Sequence, residues 1–176
     1  MFFLGTGSMW RHMVWMCFLL PQWGMAEAFS GRVSHVSDGD TLWVKPDSGG
    51  APRKLRLQGL DAPEICQTGG AASRDALGKL VANKTVDVTV LFQDDYGRGL
   101  ARILVNERDV AAIMVQSGHA WSSRWHRSLG PYAVQESQAR AGGAGLFADP
   151  APELPRNFRK RFGSCFPANS LGVQPR

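Results

Sequence analysis

The chain has 176 residues, 44% of them hydrophobic, which is enough for one domain with a real core. Its formal charge of +5 and pI of about 9.5 favour polyanions by field and counterion release without naming one, and a merely soluble basic protein fits the same figures. No Cys/His cluster has zinc-ligand spacing, and His35, His119 and His126 form no pair pattern, which argues against a soft transition-metal centre.

The N-terminus reads as a targeting segment. Arg11 and His12 precede the apolar run from Met13 to Leu20, then Pro21 and the small-residue site Ala26-Glu27-Ala28. This is the pattern of a cleaved secretory signal, with residues 1–28 removed and Phe29 as the mature start. The run is too short and too interrupted by proline to span a bilayer, so no membrane attachment is expected once the signal is cleaved. An uncleaved anchor is the alternative, and initiation at Met9 would give a tidier signal. Cleavage removes Cys17 of the three cysteines and leaves Cys66 and Cys165, an even pair that makes a disulfide candidate in an oxidising secreted or periplasmic setting.

From Phe29 the pattern predicts strands over Gly31–Ser37, Thr41–Lys45 and Arg53–Gln58, with the turn cluster Pro46–Gly50 making a hairpin of the second and third. The period then switches to a helix over 70–82, where Ala72, Ala76, Leu80 and their neighbours mark one face. Alternation returns over Thr85–Val90, followed by a loop containing Asp94 to Gly97 and a strand over Leu100–Val105. Asp109 can cap a second helix running to Gln116 and ended by Gly118, and a third is predicted over Gly130–Ala141. This order is that of an α+β protein, an OB-type five-stranded Greek-key barrel with about three helices, over residues 29–148. Residues 149–176 read as a basic, proline-containing, irregular extension: a solvated tail tied down by Cys165, or an extra phosphate-contacting arm.

Three short phrases hold the chemistry. Asp38-Gly39-Asp40-Thr41 and Arg56-Leu57-Gln58-Gly59-Leu60-Asp61-Ala62-Pro63-Glu64 place carboxylates at turns beside strands. Two carboxylates with backbone carbonyls and water suit calcium, which takes oxygen ligands in flexible geometry. Pro63 stiffens the turn that aims Glu64, a residue placed to hold a water. Arg56, and Arg98 in Asp95-Tyr96-Gly97-Arg98, can grip a phosphate bidentately and stay charged at any working pH.

Together the phrases resemble the staphylococcal nuclease family over roughly Phe29 to Ala148, and Gly118-His119-Ala120-Trp121 and Gly145-Leu146-Phe147-Ala148 resemble its secreted bacterial members. The resemblance implies an OB barrel with three helices and Ca²⁺-dependent hydrolysis of DNA and RNA to products with 3′-phosphates. It also implies one calcium ion held by Asp40, Asp61 and the Ala62 backbone carbonyl, a catalytic trio Arg56, Glu64 and Arg98, and Tyr96 on the nucleotide phosphate. Asp38 matches an acid near the metal but outside its direct shell. The family's base-stacking tyrosines are not aligned here; Trp121, Trp125 or Tyr132 are the candidates to replace them, and packing aromatics the alternative. The family archetype lacks cysteine, so the Cys66–Cys165 pairing draws no support from it. A monomer acting on DNA or RNA is expected. The alternative is a catalytically silent nucleic-acid-binding module, which the retained acids and arginines disfavour.

Overall fold

The computed structural model describes residues 26–124 and 126–165. The strands are β1 (Glu27–Val36), β2 (Thr41–Pro46), β3 (Arg53–Leu57), β4 (Leu60–Asp61), β5 (Thr85–Gln93), β6 (Gly99–Val105), β7 (Arg108–Asp109) and β8 (Trp121–Ser122). The helices are α1 (Gly70–Val81), α2 (Val110–Gln116), α3 (Ala133–Ala141) and α4 (Pro155–Phe162), with a 3-10 turn at Gly145–Ala148. Among the described residues no helix is long and apolar enough to cross a membrane.

Five strands form a closed barrel in the order β3-β2-β1-β5-β6, and a parallel β3–β6 pairing shuts the cylinder. Every other barrel contact is antiparallel; short connections join β1–β2, β2–β3 and β5–β6, while β1–β5 pairs strands far apart in the chain. Alternation along each strand sends Leu42, Val44, Leu55, Leu57, Val86, Val88, Ala101 and Ile103 inward, where all are essentially without solvent contact. Leu77 and Val81 of α1 and Val110, Met114 and Val115 of α2 cap this core. Full burial of each large aliphatic side chain contributes about 1.5–3 kcal/mol.

The closing seam positions the chemistry. Arg56 sits opposite Leu100 in the parallel pairing, which brings the end of β3 beside the hairpin that carries Arg98. Gly99 permits the approach: a Cβ there would lie 2.9 Å from Leu55 Cδ2 and 3.2 Å from Val90 Cγ1.

The predicted strands and the first two helices fall where the pattern places them, and Asp109 caps α2 by accepting from the amides of Ala111 and Ala112 at 3.0 and 3.3 Å. Two expectations are corrected. The third helix begins at Ala133 rather than Gly130, because Gly130 takes a left-handed φ of 84°, incompatible with a helical start. The described part of the C-terminal extension, to residue 165, is not irregular throughout: Pro155 pre-sets the first turn of α4, whose Phe158 and Phe162 rings pack at 5.0 Å. Of the signal segment, residues 1–25 lie outside the described residues, while Glu27 and Ala28 extend β1 along β5.

Candidate active site

The first acidic phrase forms a turn between β1 and β2. Asp38 Oδ1 accepts the amides of Asp40 and Thr41 at 2.9 and 2.7 Å, the side-chain turn that Asp favours. Thr41 Oγ1 donates to Asp40 Oδ1 at 2.7 Å, and the Asp40 carbonyl accepts the Leu57 amide at 2.8 Å. These bonds fix the Asp40 carboxylate against the end of β3. Gly39 packs where no side chain fits, since a Cβ would stand 1.9 Å from Ser73 Oγ and 2.8 Å from Ala62 Cβ. The Asp-Gly-Asp turn therefore abuts both α1 and the second acidic phrase.

That second phrase is pinned at both ends. Asp61 lies on β4, opposite Trp121 of β8 in an antiparallel pairing. The Glu64 amide donates to Gln67 Oε1 at 3.2 Å, and the Glu64 carbonyl accepts the Gln67 amide at 2.8 Å. Buried Gln67 also donates through Nε2 to the Glu153 carbonyl at 2.6 Å, joining the Glu64 turn to the segment leading into α4.

Alternating charges link the acids. Arg56 Nη2 is 3.0 Å from Asp40 Oδ2 and 3.5 Å from Asp61 Oδ1. Beyond Asp61 stands Arg159 of α4, with Nη1 2.8 Å from Glu64 Oε1 and Nη2 3.3 Å from Asp61 Oδ1. Burial and then the Asp40 charge push the Asp38 carboxyl up to about 7, against the amides that bond it. Burial raises Asp61 too; Arg159 opposes the rise, Asp40 adds to it, and Arg56 opposes it.

Arg98 occupies the neighbouring hairpin. Its Nε bonds Asp94 Oδ2 at 2.8 Å, its amide bonds Asp94 Oδ1 at 2.9 Å, and its guanidinium lies 5.3 Å from the Tyr96 ring centroid. Burial alone would raise Asp94, but the amide and side-chain bonds from Arg98 outweigh it and hold that carboxyl below its ordinary value. Tyr96 is 79% exposed, free to meet a ligand.

The structure thus brings Asp40, Arg56, Asp61 and Glu64 into one linked cluster, with Asp38 and Ala62 packed against it. It holds Arg98 and Tyr96 on the adjacent hairpin, paired with Asp94 rather than with those acids. Cys66 and Cys165 form the disulfide, with Cα atoms 5.7 Å apart. Trp121 is corrected: it is 2% exposed and meets Phe147 edge-on at 5.9 Å, so it offers no face to a base. Its part is to hold Asp61 through the β4–β8 pairing. Tyr132 is partly buried with its hydroxyl on Asp109 at 3.2 Å, and Trp125 lies outside the described residues.

Three residues of the site escape sequence reasoning: Gln67, Asp94 and Arg159. Asp94 had a local signal, being four residues before Arg98 in the same loop. Arg159 had only a conditional one, since a Cys66–Cys165 bond must bring the basic cluster near Glu64.

The donor set fits a hard cation. Asp40 and Asp61 approach one and the same nitrogen, so two carboxylates already converge on a positive charge. Both offer only oxygen, and Ala62 follows Asp61 directly with its backbone carbonyl. Among the described residues no three or more His, Cys, Asp or Glu side chains are grouped closely enough to hold a metal ion, so such an ion would rest on two carboxylates, a carbonyl and water.

Comparison with known proteins agrees with this geometry. The family described as staphylococcal nuclease homologue matches residues 54–149. An uncharacterized endonuclease of Escherichia coli O157:H7 is 39% identical over 132 residues, 74% of this chain and 85% of its own length. An uncharacterized endonuclease of Haemophilus influenzae is 35% identical over 130 residues, 74% of this chain and 72% of its own. The probable staphylococcal-like nuclease CAN2 of Oryza sativa is 36% identical over 107 residues, but that match spans 61% of this chain and 29% of the rice protein. The chain therefore spans about a third or less of the length of its plant relatives. It belongs to the staphylococcal nuclease homologue family.

Proposed function

We propose that this protein is a secreted or periplasmic Ca²⁺-dependent endonuclease that hydrolyses phosphodiester bonds of DNA, RNA or both. The observation that supports it most is the convergence of Asp40 and Asp61 on Arg56 at the barrel seam, with Glu64 joined to Asp61 through Arg159 and the Arg98 hairpin adjoining. The net charge of +5 favours a polyanionic substrate, and the disulfide suits an oxidising compartment.

In this reading Asp40, Asp61 and the Ala62 carbonyl would hold the calcium ion, which would supply positive charge to offset that of the phosphate. Glu64 orients a water and accepts its proton as oxygen attacks phosphorus. Arg56 and Arg98 bind the phosphoryl oxygens, whose charge grows as the bond to the 5′ oxygen breaks, with Arg98 toward the leaving oxygen. The product strand then ends in a 3′-phosphate. Tyr96, exposed beside Arg98, contacts the nucleotide phosphate. Asp94 acts through Arg98, fixing a guanidinium that would otherwise rotate freely.

A plasmid-nicking assay in CaCl₂, repeated in EGTA, tests the proposal. Cleavage that EGTA abolishes supports it; DNA binding without cleavage at any calcium concentration would replace it with a silent binding module.

A further inference from the structure

We propose that Arg159 is a positioning residue for Glu64, and that the Cys66–Cys165 disulfide holds it in place. The inference rests on the nuclease reading above and adds a residue to its site. Arg159 stands 95 residues from Glu64 in sequence, yet its Nη1 reaches Glu64 Oε1 at 2.8 Å while Nη2 contacts both oxygens of Asp61 at 3.3 Å. A carboxylate held at one oxygen has its plane fixed, so the other presents a defined lone pair to a water.

This is more than a surface ion pair. The Glu64 and Asp61 side chains are only 18% and 21% exposed, and Arg159 is 36% exposed. Its delivery is also enforced from both ends of α4. Cys165, beyond the helix, is bonded to Cys66, two residues after Glu64, and the Cys66 amide donates to Cys165 Sγ at 3.0 Å. Before the helix, the Glu153 carbonyl accepts from Gln67, and the Glu153 carboxylate pairs with Arg161 of α4.

Charge makes the same point. Asp40, Asp61 and Glu64 are three acids, and Arg56 bridges only the first two. Among the described residues, Arg159 is the cation that pairs with Glu64. Lysine retains the charge but cannot span two carboxylates with a planar fork.

The test compares the wild-type mature chain with R159A, R159K, C66S/C165S and the combined triple variant in calcium-dependent nicking, with K160A as a control on the same helix. R159A should lower kcat about 10–100-fold with little change in KM, R159K should fall between, and K160A should match wild type. Removing the disulfide should lower kcat in the wild-type background and add little in the R159A background, since both act through one contact. A second reading, in EGTA, takes urea midpoints of R159A, E64A and the double variant; non-additive midpoints are expected. Wild-type kcat in R159A, or strictly additive effects of R159A and disulfide removal, would overturn the assignment. Should R159A prove unstable, R159K decides by the same criteria. An inactive wild type would instead defeat the nuclease reading itself, and this assignment with it.

Discussion

Asp40, in the turn between β1 and β2, and Asp61, on β4, approach the same Arg56 nitrogen at 3.0 and 3.5 Å. The β2–β3 pairing makes this possible: Thr41 lies opposite Arg56 and the Asp40 carbonyl accepts the Leu57 amide, which sets the end of β3 beside Asp40. The convergence predicts calcium-dependent stabilisation. At about 100 times Kd, calcium should raise the unfolding free energy by about 2.7 kcal/mol. Asp40→Asn and Asp61→Asn should each remove most of that gain in thermal melts with CaCl₂ against EGTA.

Glu64→Gln keeps the shape of the side chain and removes its basicity, while Arg98→Ala removes a phosphate-binding guanidinium. Each should lower kcat/KM by about 10²–10⁴-fold with melting curves close to wild type. Asp94→Asn should lower it less, since it loosens Arg98 without removing it. Steady-state kinetics at saturating calcium checks all three.

The disulfide closes a loop of 99 residues, for which the chain-entropy model gives about 4–5 kcal/mol. C66S/C165S should therefore lower Tm by about 10–20 °C. Differential scanning calorimetry of the oxidised and variant proteins measures the difference.

Glu136 is a buried carboxylate that serves the site indirectly. It accepts the Ser122 amide at 2.9 Å and pairs with Arg124 and Arg140, so α3 clamps β8, and β8 holds Asp61. Glu136→Ala leaves the Ser122 amide without its acceptor and should cost about 1–3 kcal/mol. Glu136→Gln keeps an acceptor and should cost less. Urea denaturation separates the two variants.

Tyr132 gives a pH dependence. Burial first, then the Asp109 charge and the hydrogen bond to it, push its hydroxyl up to about 12 from the ordinary 10. Between these values the unfolded chain has lost the proton and the folded one keeps it, so stability falls as pH rises through that window. Tyr132→Phe should flatten this part of the decline in urea midpoints measured from pH 9 to about 12.

The barrel was legible because its strands alternate cleanly and its hairpins carry turn residues, as in Thr85–Val90 and Pro46–Gly50. Asp40, Arg56, Asp61 and Glu64 were legible because each sits in a short phrase at an element boundary. What sequence could not show depends on contacts far apart in the chain. Arg159 reads as one of several cations in a tail until the disulfide brings it to Glu64. Trp121 looks like a stacking platform until the β4–β8 pairing and Phe147 bury it. Periodicity carries no information about either event.

The most direct test of the nuclease reading is single-turnover nicking of supercoiled plasmid by wild type and Glu64→Gln, each with CaCl₂ and with EGTA. The account predicts cleavage by wild type in calcium alone, and a rate at least about 10²-fold lower for the variant. Equal rates for the two proteins in calcium, or undiminished wild-type cleavage in EGTA, would contradict it.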